Sequence, residues 1–519
     1  MKKPIAFFAS LILLLPLAAQ ADTRPINKYQ WPPIWNGEGY SSTMPLTHYA
    51  FDIVDTFNTG STDMSFIRVG TPGPQPFCKS LDDKSCESEA KRYSWWIIRV
   101  LPVCESVTDN EDCIESLSLV ASDGSVKKLK YLKTLAPNSW PKDIKHKLGA
   151  GSGKSLWVEE GSETTRGYMV TVSGNAGNQF GATEFPLGTL SASIVPYEVK
   201  TGDYHLETTK FVNRTLQGQG KDINCLWTDE GQCGFTIDFE AGSKLELSMH
   251  LPKRLTSWLF GRLQEPEIRV EELSGNTERN RLIVRGSGIQ LPMIGAKVAI
   301  NEANDAVKAL WANNNCPECE HGIWAVNGES SNLNNQMLEA FKPWIGDKAM
   351  LMMPTWSISS MAGGGSKVSN CSQGSSKLFG LITTNASLYS PEPPIMKDNQ
   401  LDYQVSGLHY KPDGSVFEGT YNLAMTSKGA RCVYGFSNAP IQASISVTTA
   451  DGVQKSFQTT TVNEKNGWMY LSAAGFTFSS PRIKIKLTQS KSSITCVKGS
   501  KSKIVKGSNP RCPSGYLKK

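Results

Sequence analysis

The chain has 519 residues, of which 39% are hydrophobic, and it carries a formal net charge of +6 at pH 7. Its hydrophobic content is that of a folded protein and excludes an intrinsically disordered chain. At about 100–200 residues per domain, the length also excludes a single hydrophobic core, so we expect about three domains.

The first 21 residues have the three parts of a secretory signal peptide. Two lysines precede an apolar run over residues 5–18, and the small residues Ala19 and Ala21 mark a cleavage site before Asp22. The run has 14 residues, whereas a helix needs about 20 to span a bilayer, so we predict cleavage rather than a membrane anchor. No later stretch has 18 uninterrupted apolar residues. We therefore expect an exported protein, extracellular or at the cell surface, without a transmembrane segment.

Most of the remaining chain has the pattern of antiparallel strands. Short runs rich in Val, Ile, Thr, Tyr and Phe place apolar residues at alternate positions, as in 167–173, 234–240 and 244–250. Asp-Gly turns, which suit tight hairpins, precede new runs at 122–124, 412–414 and 450–452. The sequence therefore predicts a mainly β protein with several β-sandwich-like domains.

Helical periodicity is confined to residues 301–312 and 332–341, so we expect few short helices. Residues 149–155 are rich in glycine and have the composition of a flexible linker, and the proline-rich residues 390–394 precede a fresh β region. After the signal peptide (1–21), we predict five segments: an N-terminal β-rich domain (22–150), a β domain (151–300), a mixed α+β segment (301–400), a small β-sandwich-like domain (401–489) and a basic two-cysteine tail (490–519).

All twelve cysteines follow the signal peptide. In an exported protein, an even number of cysteines that close short polar loops indicates structural disulfides. Connectivity does not follow from sequence alone, but closeness in the chain favours the pairs Cys78–Cys86, Cys104–Cys113, Cys225–Cys233, Cys316–Cys319 and Cys496–Cys512, with Cys371 and Cys432 left for each other. We therefore expect a disulfide-stapled protein.

Cys316 and Cys319, followed by His321, form the sharpest local cluster. A closed zinc site needs four ligands, and the chain has no second CxxC. A redox CxxC requires a thioredoxin-like βαβ unit, which the sequence does not indicate. A structural disulfide is the favoured interpretation, with a metal site and a redox pair as the alternatives.

Acidic residues crowd two of the cysteine loops, at 82–83 and 109–112. Clustered carboxylates outside a cell can hold Ca²⁺, but solvated loop charge is the favoured explanation, so we assign no metal site and no cofactor and keep Ca²⁺ as the alternative. We also assign no catalytic residue. The six histidines are dispersed, and the sequence contains no GxSxG, HExxH or EF-hand pattern.

Positive charge is concentrated at the C-terminal end. Residues 482–519 contain eleven Lys or Arg and no Asp or Glu. When these eleven charges and the two lysines of the signal peptide are subtracted from the net charge of +6, residues 22–481 have a net charge of −7. Such uncompensated charge binds an anionic surface or serves as a solubilising tail. The acidic body makes nucleic acid an unsuitable partner. We predict contact with anionic cell-envelope polymers or lipid headgroups through Lys491, Lys498, Lys501, Lys503, Lys506, Arg511, Lys518 and Lys519.

Four stretches resemble a family of secreted actinobacterial proteins of uncharacterised activity: 253–272, 401–424, 431–447 and 466–487. The end of the chain, residues 494–516, is similar to a short basic two-cysteine module that terminates many exported actinobacterial proteins. Pro513, Gly515 and Tyr516 belong to its compact pattern. The resemblance implies an extracellular or wall-associated protein and supplies no catalytic mechanism.

These features favour a non-catalytic binding or structural protein with a basic envelope-associating tail. The alternative is a secreted hydrolase acting on cell-wall or polysaccharide substrates, which two carboxylates about 5–9 Å apart in a cleft would favour. An extracellular metal-binding protein is the third candidate. The thirteen tryptophans would suit sugar rings where their faces are exposed, and they would serve core packing elsewhere.

Overall fold

The computed structural model describes residues 48–53, 64–70, 77–84, 86, 93–106, 111–135, 138–162, 165–177, 182–202, 226–229, 231–256, 258–273, 278–314, 322–326, 328, 331–361, 371, 378–397, 400–434, 441–448, 454–456, 461–465, 467–478, 482–489, 492–507 and 510–519. The predicted signal peptide lies outside these residues.

Strands dominate the first part of the described chain, up to residue 300. One 3₁₀ turn, Lys253–Thr256, interrupts them. The strands are β1 (His48–Ile53), β2 (Phe66–Val69), β3 (Trp95–Val100), β4 (Cys113–Val120), β5 (Val126–Lys128), β6 (Lys130–Leu135), β7 (Lys154–Val158), β8 (Arg166–Gly177), β9 (Ser191–Thr201), β10 (Trp227–Asp229), β11 (Gln232–Thr236), β12 (Lys244–Pro252), β13 (Trp258–Arg262), β14 (Gln264–Glu272), β15 (Arg279–Ser287) and β16 (Ile289–Ala299).

The second part adds three short helices among the described residues, α1 (Asp305–Asn314), α2 (Asn332–Ile345) and α3 (Ser427–Tyr434). Its strands are β17 (Gly322–Val326), β18 (Leu351–Ser360), β19 (Gly380–Thr384), β20 (Leu388–Tyr389), β21 (Ile395–Lys397), β22 (Gln400–Ser406), β23 (Gly419–Thr426), β24 (Ile441–Thr448), β25 (Gln454–Ser456), β26 (Thr461–Lys465), β27 (Trp468–Phe476), β28 (Arg482–Gln489), β29 (Ser492–Lys498), β30 (Lys501–Gly507) and β31 (Leu517–Lys518). The predicted mainly β fold class is confirmed.

Seventeen of these strands form one continuous hydrogen-bonded sheet. Its main path runs β2–β3–β8–β9–β18–β13–β19–β23–β27–β26. Three branches leave that path: β7 and β6 extend from β8, β11 and β10 extend from β9, and β16, β1 and β17 extend from β18. Strand β18 is long enough to pair with three strands. Its first half pairs with β16 and its second half with β9 and β13, so it connects the β16 branch to the main path.

A five-stranded sheet, in the order β14-β15-β12-β4-β5, packs on this large sheet. Along β12 the predicted alternation is confirmed, because Leu245, Leu247 and Met249 enter the shared core. Fully burying such a side chain contributes about 1.5–3 kcal/mol. Buried Trp356 of β18 donates its indole N–H to the Gly286 carbonyl of β15 at 3.0 Å, which fastens the two sheets together.

A six-stranded sheet covers another part of the large sheet, with strand order β20-β22-β28-β24-β25 and with β21 also paired to β22. Tyr403 and Val405 of β22 share a core with Tyr421 and Leu423 of β23. Residues 401–489 therefore supply strands to both the large sheet and the six-stranded sheet. Strands β19, β20 and β21 from the preceding segment extend the same two sheets.

Helices α1 and α2 pack together against β1 and β16. Helix α2 begins after Ser331, whose hydroxyl accepts the N–H of Asn334 at 3.0 Å, and ends at Gly346 with φ 60°. Both helices overlap the stretches predicted from periodicity. Helix α3 was not predicted. Its buried residues are Ser427, Gly429 and Ala430, which are small or polar, so its sequence has no helical repeat of large apolar residues. None of the helices in the described ranges is long and apolar enough to cross a bilayer.

Two of the predicted Asp-Gly turns are present. Gly124 and Gly414 both have φ +84°, a left-handed conformation that favours glycine. In the first turn, the Gly124 N–H bonds to the Ala121 carbonyl at 2.9 Å, and the Asp123 carboxylate accepts the Ser125 N–H at 2.8 Å. The third predicted turn, at 450–452, lies outside the described residues.

Four disulfides have both of their cysteines among the described residues: Cys78–Cys86, Cys104–Cys113, Cys371–Cys432 and Cys496–Cys512. Each joins a pair that the sequence analysis favours. The Cys371–Cys432 bond links helix α3 to the chain between β18 and β19. Cys233 is also disulfide-bonded. Cys225, Cys316, Cys319 and His321 lie outside the described residues, so the predictions that concern them stay predictions.

The glycine-rich residues 149–155 are not a flexible linker, contrary to the prediction from composition. Lys154 and Ser155 are buried and begin β7, which pairs with both β6 and β8. A Cβ atom at Gly149 would lie 2.2 Å from the guanidinium carbon of Arg99, and one at Gly151 would lie 2.4 Å from the Trp140 indole. These glycines permit close packing rather than flexibility.

Sheet pairing crosses the predicted segment boundaries. Strands β3 and β4 pair with β8 and β12 across residue 150, and β16 pairs with β18 across residue 300. Strands β19 and β23 pair across residue 400. The segments between residues 48 and 489 therefore share hydrophobic cores.

Candidate functional site

The basic tail folds into a small sheet of its own. Strand β29 is central, with β30 on one side and β31 on the other. Gly499, with φ +57°, makes the tight turn between β29 and β30. The disulfide from Cys496, which is buried, to Cys512 ties residues 510–516 to the central strand. We call residues 492–519 the tail module.

The strand register assigns the side chains of the tail module to two faces, because directly paired residues of antiparallel strands point to the same side. We call the side that carries Cys496 the cysteine face. Its centre is covered by residues 510–516, which the disulfide holds there. Register places four lysines on this face: Lys498, Lys501, Lys503 and Lys518.

We call the opposite side the open face. There Thr495 pairs with Ile504, and Val497 pairs with both Ser502 and Leu517. Ile504 is 64% exposed and Leu517 is 76% exposed. Two large apolar side chains from the outer strands therefore stand in solvent on one side of the module.

Seven of the eight predicted envelope-binding side chains lie in the tail module, and all seven are exposed: Lys498, Lys501, Lys503, Lys506, Arg511, Lys518 and Lys519. Lys491 lies outside the described residues. Residues 482–519 contain no carboxylate side chain, and in the part of the chain that the structure describes no acidic side chain forms an ion pair with the seven. Their charge is therefore available to an external anion.

The open face was not predicted, because composition identifies the charge but not the side of the sheet to which each residue points. The turn at 499–500 is the signal that could have revealed it. Counting outward from a two-residue turn pairs Lys498 with Lys501 and Thr495 with Ile504, which is the observed register.

A separate open groove of about 1050 Å³ lies where β16 and β18 begin, beside the loop at 411–418. The Gln290 amide donates to the Asp238 carboxylate at 2.6 Å, and the Asn385 amide bonds to the Glu418 carbonyl at 3.0 Å. Two acidic residues line the groove, Asp238 and Glu418. The other polar lining side chains are Gln264, Gln290, Asn385, Lys411 and Thr420.

Three potential metal-ligand atoms come together at Cys104, Cys113 and His250. The Nδ1 atom of buried His250 lies 3.9 Å from the Cys104 sulfur and 3.8 Å from the Cys113 sulfur. The two sulfurs are bonded to each other, however, and zinc binds cysteine as the thiolate. While the disulfide is intact, this cluster is a packing contact rather than a metal centre.

The other ring nitrogen of His250, Nε2, lies 3.4 Å from a carboxylate oxygen of Glu115. Ser248 Oγ donates to the same oxygen at 2.7 Å, and Arg281 Nε donates to it at 2.6 Å. Burial raises the pKa of Glu115, but the hydrogen bonds from His250, Ser248 and Arg281 outweigh burial and lower that pKa to about 2. Glu115 is therefore a structural anion at neutral pH.

Among the acidic residues weighed as calcium ligands, Asp82, Glu111 and Asp112 form ion pairs with basic side chains, and the Asp83 carboxylate accepts the Lys79 backbone N–H at 3.1 Å. Asp82 contacts Lys145 at 2.6 Å, and Asp112 lies between Arg99 at 2.6 Å and Arg279 at 2.8 Å. Glu111 forms an ion pair with Lys142. Calcium requires several oxygen atoms that converge on one point, whereas these carboxylates are directed at cations or a backbone N–H of the chain itself. Asp109 and Asn110 lie outside the described residues.

The neighbouring tryptophans Trp95 and Trp96 differ in exposure, as the two alternatives for tryptophan require. Trp95 and Trp356 are buried. Trp96 is exposed, but the guanidinium carbon of Arg68 lies 3.4 Å from its ring centroid. The Arg68 side chain therefore occupies one face of the Trp96 ring.

No protein-family model matches the chain, and comparison with curated proteins finds no match. Its function must be inferred from its own residues.

Proposed function

We propose that the chain is an exported protein that attaches to an anionic component of the cell envelope through its tail module and acts there as a binding or structural protein. The seven exposed, unneutralised cations of that module carry the proposal. The four disulfides fit an oxidising compartment outside the cytoplasm. Export through residues 1–21 and kinship with secreted actinobacterial proteins belong to the same proposal.

The charge asymmetry of the chain supports this mode of attachment. Each Lys or Arg near an anionic surface contributes roughly 1 kcal/mol, and the effect falls off within a Debye length of about 8 Å at physiological salt. Residues 22–481 carry a formal charge of −7, which the same surface repels. Opposite net charges on the body and on the tail module favour an orientation with the tail module toward the envelope.

Binding of the mature chain, residues 22–519, to isolated cell envelopes tests the proposal. The test variant replaces four lysines of the tail module by glutamine: Lys498→Gln, Lys501→Gln, Lys503→Gln and Lys506→Gln. The matched control replaces four exposed lysines of the body by glutamine: Lys84, Lys128, Lys145 and Lys147. We expect the module variant to lose at least tenfold in affinity, about 1.4 kcal/mol, and the control to bind like the unmodified chain. High salt should weaken the unmodified chain. Equal binding by both variants would refute the proposal.

Hydrolysis of a cell-wall or polysaccharide substrate is the second candidate function. The presence of Asp238 and Glu418 in one groove favours it, because glycoside hydrolysis uses a carboxylate pair. The test is the release of reducing sugar from isolated walls by the mature chain and by an Asp238→Asn, Glu418→Gln variant. Activity that this variant lacks would support hydrolysis, and activity that persists in the variant would exclude the groove as its site.

A further inference from the structure

We infer that the open face of the tail module docks on an anionic lipid bilayer, with Ile504 and Leu517 entering the interface between the headgroups and the acyl chains. This inference rests on the proposed function and narrows the anionic partner to lipid headgroups.

The closure of one face and the exposure of the other support this orientation. Residues 510–516 are held over the centre of the cysteine face by the disulfide, whereas the open face presents Ile504 and Leu517 to solvent. On that face Ile504 and Leu517 belong to the two outer strands, and Val497 on the central strand lies between them. A shallow apolar patch of this width fits an interfacial depth of about 5–10 Å.

Charge complementarity selects the anionic bilayer as the occupant. Lys506 is on the open face, since it pairs with Ser493 there. The lysines of the cysteine face point away from a surface at the open face, so they add attraction over a distance rather than direct contact with its phosphates. Electrostatic attraction brings the module to the headgroups, and the apolar pair then adds affinity that salt does not screen.

The apolar pair distinguishes lipid from other phosphate-bearing partners. A soluble polyanion offers phosphate groups to the lysines but no acyl layer to Ile504 and Leu517. Removing the two apolar side chains should therefore weaken binding to a bilayer and leave binding to a polyanion unchanged. Removing the lysines should weaken both.

The experiment uses the mature chain with three probes: phosphatidylglycerol-containing vesicles, phosphatidylcholine vesicles and soluble inorganic polyphosphate. The test variant is Ile504→Ser with Leu517→Ser. Its matched control is Val126→Ser with Ile144→Ser, two body side chains that are 53% and 79% exposed. Leu517→Ser alone is the second variant, because its side chain is the more exposed of the pair. Resistance of residues 492–519 to limited proteolysis, together with peptide mapping of the Cys496–Cys512 bond, establishes that each variant module is folded.

We expect the test variant to bind anionic vesicles about tenfold or more weakly than the unmodified chain, which corresponds to about 1.4 kcal/mol. Its residual binding should disappear at high salt, its binding to polyphosphate should be unchanged, and the control should match the unmodified chain. Leu517→Ser alone should give a smaller loss in the same direction.

Three results would overturn the inference. In the first, the test variant and the unmodified chain bind anionic vesicles equally. In the second, the unmodified chain binds polyphosphate but not anionic vesicles. Both results are compatible with envelope attachment through the lysines. Alternatively, the unmodified chain could sediment as a dimer that the test variant does not form, which would make the open face a contact between copies. Envelope binding that survives loss of the lysines would instead remove the proposed function itself.

Discussion

Arg99 of β3 and Asp112, just before β4, form an ion pair of 2.6 Å that is almost completely shielded from solvent. The pair also holds the segment before β7 and strand β15. Arg99 Nε donates to the Ala150 carbonyl at 2.8 Å, and Arg279 of β15 donates to the other Asp112 oxygen at 2.8 Å. One buried carboxylate therefore connects the large sheet to the five-stranded sheet.

Asp112→Asn should destabilise the protein strongly. The substitution keeps the shape of the side chain but leaves the Arg99 guanidinium buried without a counter-charge, which costs about 3–5 kcal/mol. The free energy of unfolding in urea, measured on the transition that includes β3 and β4, checks this. Lys145→Gln, which removes an exposed partner of Asp82, is the control and should cost less than about 1 kcal/mol. Equal losses in the two variants would contradict a special role for the buried pair.

Gly149→Ala should disturb the same ion pair from the other side. The new Cβ would lie 2.2 Å from the Arg99 guanidinium carbon, and that group cannot move away freely because Asp112 and Ala150 hold it. Overpacking of this kind costs about 1–3 kcal/mol. Because both changes act on one guanidinium, Gly149→Ala combined with Asp112→Asn should cost less than the sum of the two. Ser152→Ala in the same segment is the control, and strict additivity would show that the clash is relieved elsewhere.

This region shows where prediction from sequence succeeds and where it fails. Alternation in 244–250 and the Asp-Gly turn at 122–124 are local patterns, and both identify their elements correctly. Gly149 and Gly151 look like linker glycines because composition does not distinguish a flexible backbone from a closely packed one. Only the long-range position of Arg99 and Trp140 decides between them.

Strand pairing across the predicted segment boundaries could not be predicted, for the same physical reason. A change in composition is local, whereas the pairing of β4 with β12 joins residues more than a hundred positions apart.

In the candidate site, the exposed cations could be predicted from composition alone, because a run of lysines without acidic residues has few partners within the chain. The grouping of Ile504 with Leu517 depends on register and on the position of β31, which is a tertiary property.

Acid should destabilise the five-stranded sheet through Glu115. The pKa of Glu115 in the folded protein is about 2, against an ordinary value of 4.5, so the folded state favours the carboxylate. A lowered folded-state pKa gives stability that is fully present above pH 4.5 and is lost as the pH falls toward 2. The shift corresponds to roughly 3 kcal/mol at neutral pH.

The measurement is the free energy of unfolding from pH 6 down to pH 2 for the unmodified chain and for Glu115→Gln. The glutamine variant lacks the titrating group, so the difference in stability between the two proteins should shrink across this range. Glu267→Gln, on the exposed side of the same sheet, is the control and should leave the pH dependence almost unchanged. A difference that stays constant with pH would mean that Glu115 has an ordinary pKa.

Cys496→Ser with Cys512→Ser should unfold the tail module and leave the body folded. The module has few apolar side chains to bury, since Ile504 and Leu517 are exposed, so its stability depends heavily on the disulfide. Closing a loop of this length, with a sequence separation of 16, contributes about 3 kcal/mol.

Limited proteolysis should therefore cleave the variant within residues 492–519 under conditions in which the unmodified chain resists.

Envelope binding by the same variant separates the two sources of affinity in the module, its charge and its open face. If charge alone suffices, the unfolded tail keeps its lysines and should bind almost as tightly as the folded module; if the open face matters, affinity should fall together with the fold. The control, Cys78→Ser with Cys86→Ser, removes the short disulfide near β2 and should leave envelope binding unchanged, because that loop lies in the body of the protein.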